Sequence, residues 1–438
     1  MKRIFSAVLA AVGAALLVLG IALPTYIVPK GKVLPLNLVS TTGTAPTPGN
    51  LLDSKALAAG KPVDGKDKLP ECSGEVKRVS CFIWKGLDMQ SQRFTVAQEP
   101  SDKKQVTMEL GQTLYRNDKQ EPDNLLSATV DRVTLDRKTQ MPVPDPVSTV
   151  NITPPLSSGK GKEKTASTAP FARNGIQYQW PMGTDKKSYP YFDITSFTTK
   201  DIDFVGEEEQ DGVKVYRFEQ TVNPTELYPH IREALEADGE LDKADEATLA
   251  PYRLKFAADV WGIQPTEEDK AKAAEAKAEE KKAQEADKPE GDEANKPEGE
   301  ESEEAPKPED NPEIELSRFY TVNRTIWVEP RTGVIVNGNE EIWQYYARNQ
   351  EEADQIAQPE NRQKELENPT RTAMYYPGKW NDESKQGQMK KAEDGFTKME
   401  TMGKTVPFIL IPVGLILLIV GFVLARGSRK QAEYEREV

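Results

Sequence analysis

The stretch from Ile4 to Val28, IFSAVLAAVGAALLVLGIALPTYIV, contains no charged residue. A helix rises about 1.5 Å per residue, so about 20 residues cross a hydrocarbon layer about 30 Å thick. Lys2 and Arg3 precede the run, and Pro29 and Lys30 follow it. A second run, Val406 to Ala425, reads VPFILIPVGLILLIVGFVLA and ends at Arg426, Arg429 and Lys430. Everything between the two is polar on average. The pattern predicts a large exterior domain held to a membrane at both ends.

The first run has a basic start and a small-x-small triplet, Gly20-Ile21-Ala22, the signature of a cleaved export signal. Its apolar character persists through Leu23, Tyr26, Ile27 and Val28, longer than such a signal needs, so we read it as an uncleaved anchor. Glycines seven apart occur in both runs, Gly13 with Gly20 and Gly414 with Gly421, and Ala7, Ala11 and Ala15 form a stripe on the first. Small residues let helices approach closely in lipid, although they are also simply common there. Basic residues nearest the second run favour its C-terminal side, three against Lys404 alone before it. By the positive-inside rule, both termini are cytoplasmic.

The expected organisation is residues 1–3 as a short cytoplasmic end, 4–28 as a transmembrane helix and 29–404 as the extracytoplasmic domain. Residues 405–425 form the second transmembrane helix and 426–438 a cytoplasmic tail. Cys72 and Cys81 are the chain's two cysteines, in ECSGEVKRVSCFIW. Their spacing suits a disulfide across a short loop in an oxidising compartment. Two thiols and a distant His230 do not make a four-ligand zinc shell.

The formal charge of −14 is uneven. Residues 265–313 hold 19 acidic side chains against 8 lysines, a net −11, with Pro and Gly in KPEGDEANKPEGEE. Little there is available to bury, so a disordered acidic insert is expected, with a solvated helix possible over Lys270–Ala286. Nothing in the charge pattern points to nucleic acid.

Elsewhere the patterning is that of strands. Cys81–Trp84, Phe94–Gln98 and Leu125–Leu135 read as extended, and Pro142–Pro170, with SSGKGKEK at its middle, reads as a flexible loop. Asp211-Gly212 between alternating runs predicts a tight hairpin, and Pro330 to Gly333 a second. Leu227, Ile231 and Leu235 recur at helical spacing. The crowded aromatics Tyr178, Trp180, Tyr189, Tyr191 and Phe192 are read as core of a β domain rather than a ligand groove. The fold class is therefore α+β: a β-rich extracytoplasmic domain with helical insertions, held between N-terminal and C-terminal transmembrane helices.

GIQYQWPMGTDKKSYPYFD, FVGEEEQDGVKVYRFEQ and RTIWVEPRTGVIVNGNEEIWQYY, together with both flanking helices, resemble the actinobacterial porin PorA family, formerly a domain-of-unknown-function family. The resemblance implies a cell-envelope protein and, through the family's name, channel formation; it supplies no catalytic, cofactor or metal-binding residues. The chain itself shows no GxSxG or HExxH motif, and Asp193 is read as a turn or surface residue. The expectation is a non-enzymatic envelope protein in assembly or in lipid or solute handling, with no cofactor. Its expected partners are the lipid bilayer, envelope lipids and other envelope proteins. The alternatives are a channel-forming porin and a lipid-binding conduit resembling class B scavenger receptors, which also place a β-rich domain between two terminal helices.

Overall fold

The computed structural model describes residues 2–63, 65–153, 166–237, 239–286 and 311–437. Its largest element is one antiparallel sheet of 14 strands. These are β1 (Val39–Gly43), β2 (Thr47–Leu52), β3 (Ile83–Gln98), β4 (Gln105–Arg116), β5 (Leu125–Asp136), β6 (Thr149–Thr153) and β7 (Ala166–Ser167). The second half adds β8 (Tyr189–Asp193), β9 (Thr198–Gln210), β10 (Val213–Glu226), β11 (Arg253–Ala257), β12 (Glu313–Glu329), β13 (Val334–Ala347) and β14 (Thr372–Lys379). The path runs β7-β6-β5-β4-β3-β2-β14-β13-β12-β10-β9-β8, with β1 beside β3 and β11 beside β12.

Both predicted hairpins form. Asp211 and Gly212 take φ of 50° and 75°, the left-handed pair that a two-residue turn requires. The turn before β13 ends at Gly333, φ 71°, packed directly on the Trp180 carbonyl, so a Cβ there has no room. Leu227, Ile231 and Leu235 are buried on the helix Leu227–Glu236. Strand β10 runs on to Glu226, so Asn223-Pro224-Thr225 belongs to the strand end rather than to a helix cap.

The sheet wraps so that its two ends meet. After β7 the chain bridges β6's flank through Ser148 and Phe171, then β8 through Ile176 and Tyr191. Arg173, on this closing segment, is buried against Asp131 of β5, which also accepts from Tyr178. The expected loop over Pro142–Pro170 therefore carries strands β6 and β7 within it; residues 154–165, with SSGKGKEK, lie outside those described.

Along β9 the exposed residues are polar but for Val205, namely Thr199, Asp201, Asp203, Glu207 and Glu209, while Ile202 is fully buried. Four of the five crowded aromatics, Trp180, Tyr189, Tyr191 and Phe192, are buried core as expected, with Trp180 and Phe218 centroids 5.2 Å apart; Tyr178 is the exception and lines a cavity.

Of the acidic insert, Glu267–Ala286 is helical, longer than the helix expected from Lys270. Its first turn is tied to the domain, because Asp269 pairs with Arg348 at 3.1 Å. Disorder is therefore not the state of the insert's first half, and residues 287–310 lie outside those described.

The two apolar helices pack side by side and antiparallel. Ser6, Gly13 and Gly20 are buried on one, and Pro407, Gly414 and Gly421 on the other. A Cβ on Gly13 would meet the Gly414 carbonyl at 2.7 Å, and one on Gly421 the Ala10 N–H at 2.9 Å. The seven-residue spacing of the glycines thus makes the seam, as a heptad repeat does. Ala7, Ala11 and Ala15 face outward, so that stripe has no part in the contact. Both helices are long and apolar enough to cross a membrane, within Ile4–Gly31 and Asp382–Gly427.

Candidate functional site

Where the helix pair enters the β domain lies a cavity of about 660 Å³. Its mouth is formed by Ile27, Val28 and Gly31 from the first helix and by Lys398, Met399 and Met402 leading to the second. The lead-in Val33–Val39 forms one wall. Leu34 is fixed there by its N–H donating to the Arg137 carbonyl at 2.8 Å, and by Arg137 Nε donating back at 2.7 Å. Deeper in, Met108 and Leu135 reach inward from β4 and β5, and Arg93 and Thr95 from β3.

A second chamber, about 270 Å³, lies inside the wrapped sheet. Thr42, Arg93 and Trp380 line both chambers, so a single layer of side chains is all that stands between them. The inner chamber continues past Tyr376 and Gln344 to Arg318 and Tyr252, and reaches exposed Ser54 at its far side.

The two chambers differ in charge. The charged residues lining the outer one are Arg93, Lys391 and Lys398, with no carboxylate among them. The inner one adds Arg318 and Glu340. Lys391 Nζ donates to the Val39 carbonyl and Ser40 Oγ, both at 3.0 Å, and burial lowers its pKa. Arg93 donates from Nε and Nη2 to Gln112 Oε1 at 3.3 and 3.0 Å. Among the described residues, neither Arg93, Lys391 nor Lys398 makes an ion pair within 4.0 Å. Gln140, 1% exposed on the outer wall, donates its amide to the Arg137 carbonyl at 2.7 Å. Its Oε1 has no hydrogen-bond partner among the described residues.

Beside the inner chamber, Arg324 is fully engaged. It pairs with Asp193 at 3.0 Å and Glu340 at 2.5 Å and donates to Gln220. Tyr320 donates to the same Asp193 oxygen at 2.8 Å. Burial alone would raise the Asp193 pKa, but Arg324 and the Ser196 N–H outweigh it and hold the carboxyl low. Glu340 is likewise held low against burial, by Arg324 first and Arg93 second. Asp193 does cap a turn, accepting from Thr195 and Ser196 N–H at 3.0 Å; it is buried, however, and the surface half of that expectation is corrected.

The cysteines fall far from the chambers' mouth. Cys72 and Cys81 form a disulfide buried with Phe82, Trp261 and Tyr346, as the spacing predicted. His230 is half-exposed on the helix Leu227–Glu236. The lining residues Arg93, Gln140, Lys391 and Lys398 belong to no motif, and no signal in the sequence singles them out.

Relatives agree with the resemblance. The sequence profile described as Porin PorA matches residues 5–423. A protein named Porin PorA from Corynebacterium resistens is 59% identical over 430 residues, covering 98% of each chain. Another Porin PorA, from Corynebacterium amycolatum, is 39% identical over 429 residues, covering 96% of this chain and 98% of its own. With two apolar helices, a wrapped antiparallel sheet and full-length relatives of that name, the chain belongs to the porin PorA family of membrane proteins.

Proposed function

We propose that this chain is a membrane-tethered conduit for amphiphilic molecules, its wrapped sheet receiving them from the bilayer surface. One observation carries the reading: the outer chamber begins where the apolar helices end and shares Thr42, Arg93 and Trp380 with a chamber inside the sheet. Its volume lies in the usual range of ligand sites, about 300–1,000 Å³. Leu34, Met108, Leu135, Met399 and Met402 supply the apolar wall an acyl chain needs. Methionines suit irregular guests because the thioether is flexible and polarizable.

The relatives' name favours a channel. A barrel crossing lipid carries an outward apolar band about 25 Å tall, whereas the outer face here presents Asp201, Asp203, Glu207 and Glu209. The passage that fits this surface stands in water above the membrane. The antiparallel helix pair puts both termini on one side, and Arg426, Arg429 and Lys430 favour the cytoplasm for it. The domain, residues 29–404, is then extracytoplasmic, where the Cys72–Cys81 disulfide persists. Thiol labelling of Glu433→Cys in intact cells, with Thr41→Cys unlabelled, would overturn that orientation.

The conduit is tested with purified full-length protein and a phospholipid bearing a photoreactive acyl chain. Crosslinks should map to the peptides holding Met399 and Met402, and Thr42→Trp should reduce labelling of the inner chamber around Tyr376. Stepwise conductance in a planar bilayer with no crosslinked lipid would replace the conduit by a channel.

A further inference from the structure

We propose that the outer chamber selects an amphiphile with an anionic head group, and that Arg93 is the residue that reads the anion. This rests on the conduit reading and goes beyond it by assigning the class of cargo. Three cations and no carboxylate line the chamber, two lysines at its mouth and Arg93 at its inner end. The two lysines are exposed, whereas Arg93 is half-buried, and a cation held there without an ion-pair partner loses hydration that a bound anion restores.

Arg93 fits that task by its geometry. A guanidinium carries five donors in a fixed fork suited to carboxylate or phosphate, and here Nε and Nη2 meet one neutral amide oxygen, that of Gln112. The carboxylate whose pKa Arg93 helps depress, Glu340, is already held by Arg324, which leaves the fork's remaining donors for a guest. Lys391 is held on the chamber wall by Val39 and Ser40. A head group arriving from the membrane surface meets Lys398 and Lys391 first and then Arg93.

Phosphatidylglycerol, a membrane amphiphile whose head group carries a phosphate anion, is the probe of choice.

The experiment uses full-length protein in detergent and fluorescently labelled lipids, phosphatidylglycerol against phosphatidylcholine, with inorganic phosphate alone as a third arm. Wild type should prefer phosphatidylglycerol by about tenfold or more, the scale of one hydrogen bond to a charged group. Arg93→Gln should bring the two lipids to near-equal affinity without losing phosphatidylcholine binding, and Arg93→Lys should keep part of the preference. Equal binding of both lipids by wild type, or an unchanged preference in a folded Arg93→Gln protein, would overturn the assignment while leaving the conduit standing. Phosphate alone binding as tightly as the lipid would show a free-anion site instead. Failure of every lipid to bind would overturn the conduit and the assignment together.

Discussion

Two arginines of the sheet, Arg324 on β12 and Arg93 on β3, are both turned into the wrapped structure and have opposite surroundings. Arg324 is 6% exposed and meets two carboxylates and a glutamine. Those partners sit on three elements, since Asp193 ends β8, Gln220 lies on β10 and Glu340 on β13. Arg93 stands at the junction of two cavities, bonded to Gln112 of the neighbouring strand and to no carboxylate. A buried charge is tolerated when every donor is matched, so the first arginine closes the sheet. The second lines both cavities with no carboxylate at ion-pair distance among the described residues, so its charge is not spent on holding the sheet.

The largest effect should come from breaking the satisfied network. Arg324→Gln leaves Asp193 buried and Glu340, 28% exposed, without their cation, and removal of one partner of a buried pair costs about 3–5 kcal/mol. Thermal unfolding in detergent should show a large fall in midpoint at neutral pH. The sign of the pH dependence sharpens this test. In wild type both carboxyls titrate below their ordinary values of 3.8 and 4.5. Their stabilising contribution is complete above those values and is lost as pH falls through the lower, folded ones. In Arg324→Gln the buried carboxyls lose the group that held them low, so mild acid should narrow the gap to wild type. A gap that stayed constant from neutral pH down to about pH 4, within the ordinary range of these carboxyls, would mean the ion pairs are not what stabilises this region.

Next in size is the disulfide, which lies in neither arginine's surroundings and serves as the control. Cys72→Ser with Cys81→Ser opens a short loop, worth about 2–3 kcal/mol in the chain-entropy picture. Because the bridge sits in a different core cluster, its effect should add to that of Arg324→Gln, as independent sites do. A strong departure from additivity, measured as a double-mutant cycle on the unfolding midpoint, would show that the two regions are energetically coupled.

The sequence disclosed these regions unequally, and the reason is physical. Turn chemistry is local, so Asp211-Gly212 and Pro330 to Gly333 marked their hairpins. Helical spacing is local too, and Leu227, Ile231 and Leu235 declared their face. The glycine heptads on the terminal helices were visible, but a single helix does not say which of two small-residue stripes its partner covers; Gly13 and Gly20 do the packing and the alanines do not. The second half of β9 was legible, since Asp211-Gly212 marks FVGEEEQ as one arm of a hairpin, but its start at Thr198 was not, because TTKDID is mostly polar and carries no turn signal of its own. The chamber is least legible of all. Its cations come from β3 and from the helix Asp382–Glu400, nearly three hundred residues apart in sequence, and they are brought together by wrapping alone. Tertiary closure of this kind leaves no period to read.

The smallest effect is the one that most directly tests the contrast. Arg93→Gln removes a charge that no carboxylate pairs with and keeps an amide able to bond Gln112 across the β3–β4 ladder. Its neighbours are a cavity on one side and a neutral side chain on the other, so no buried partner is stranded. The expected change in stability is within about 0.5 kcal/mol, the scale of substitutions away from packed or paired sites. The sign is the informative part. Relief of an incompletely solvated cation favours the variant, while loss of the field that helps hold Glu340 low disfavours it, and the two are of similar size. Urea unfolding of wild type, Arg93→Gln and Arg324→Gln at one pH puts all three on one scale. A cost for Arg93→Gln approaching that of Arg324→Gln would make Arg93 a fifth member of the structural network, and the chamber would lose its one group free to read a guest.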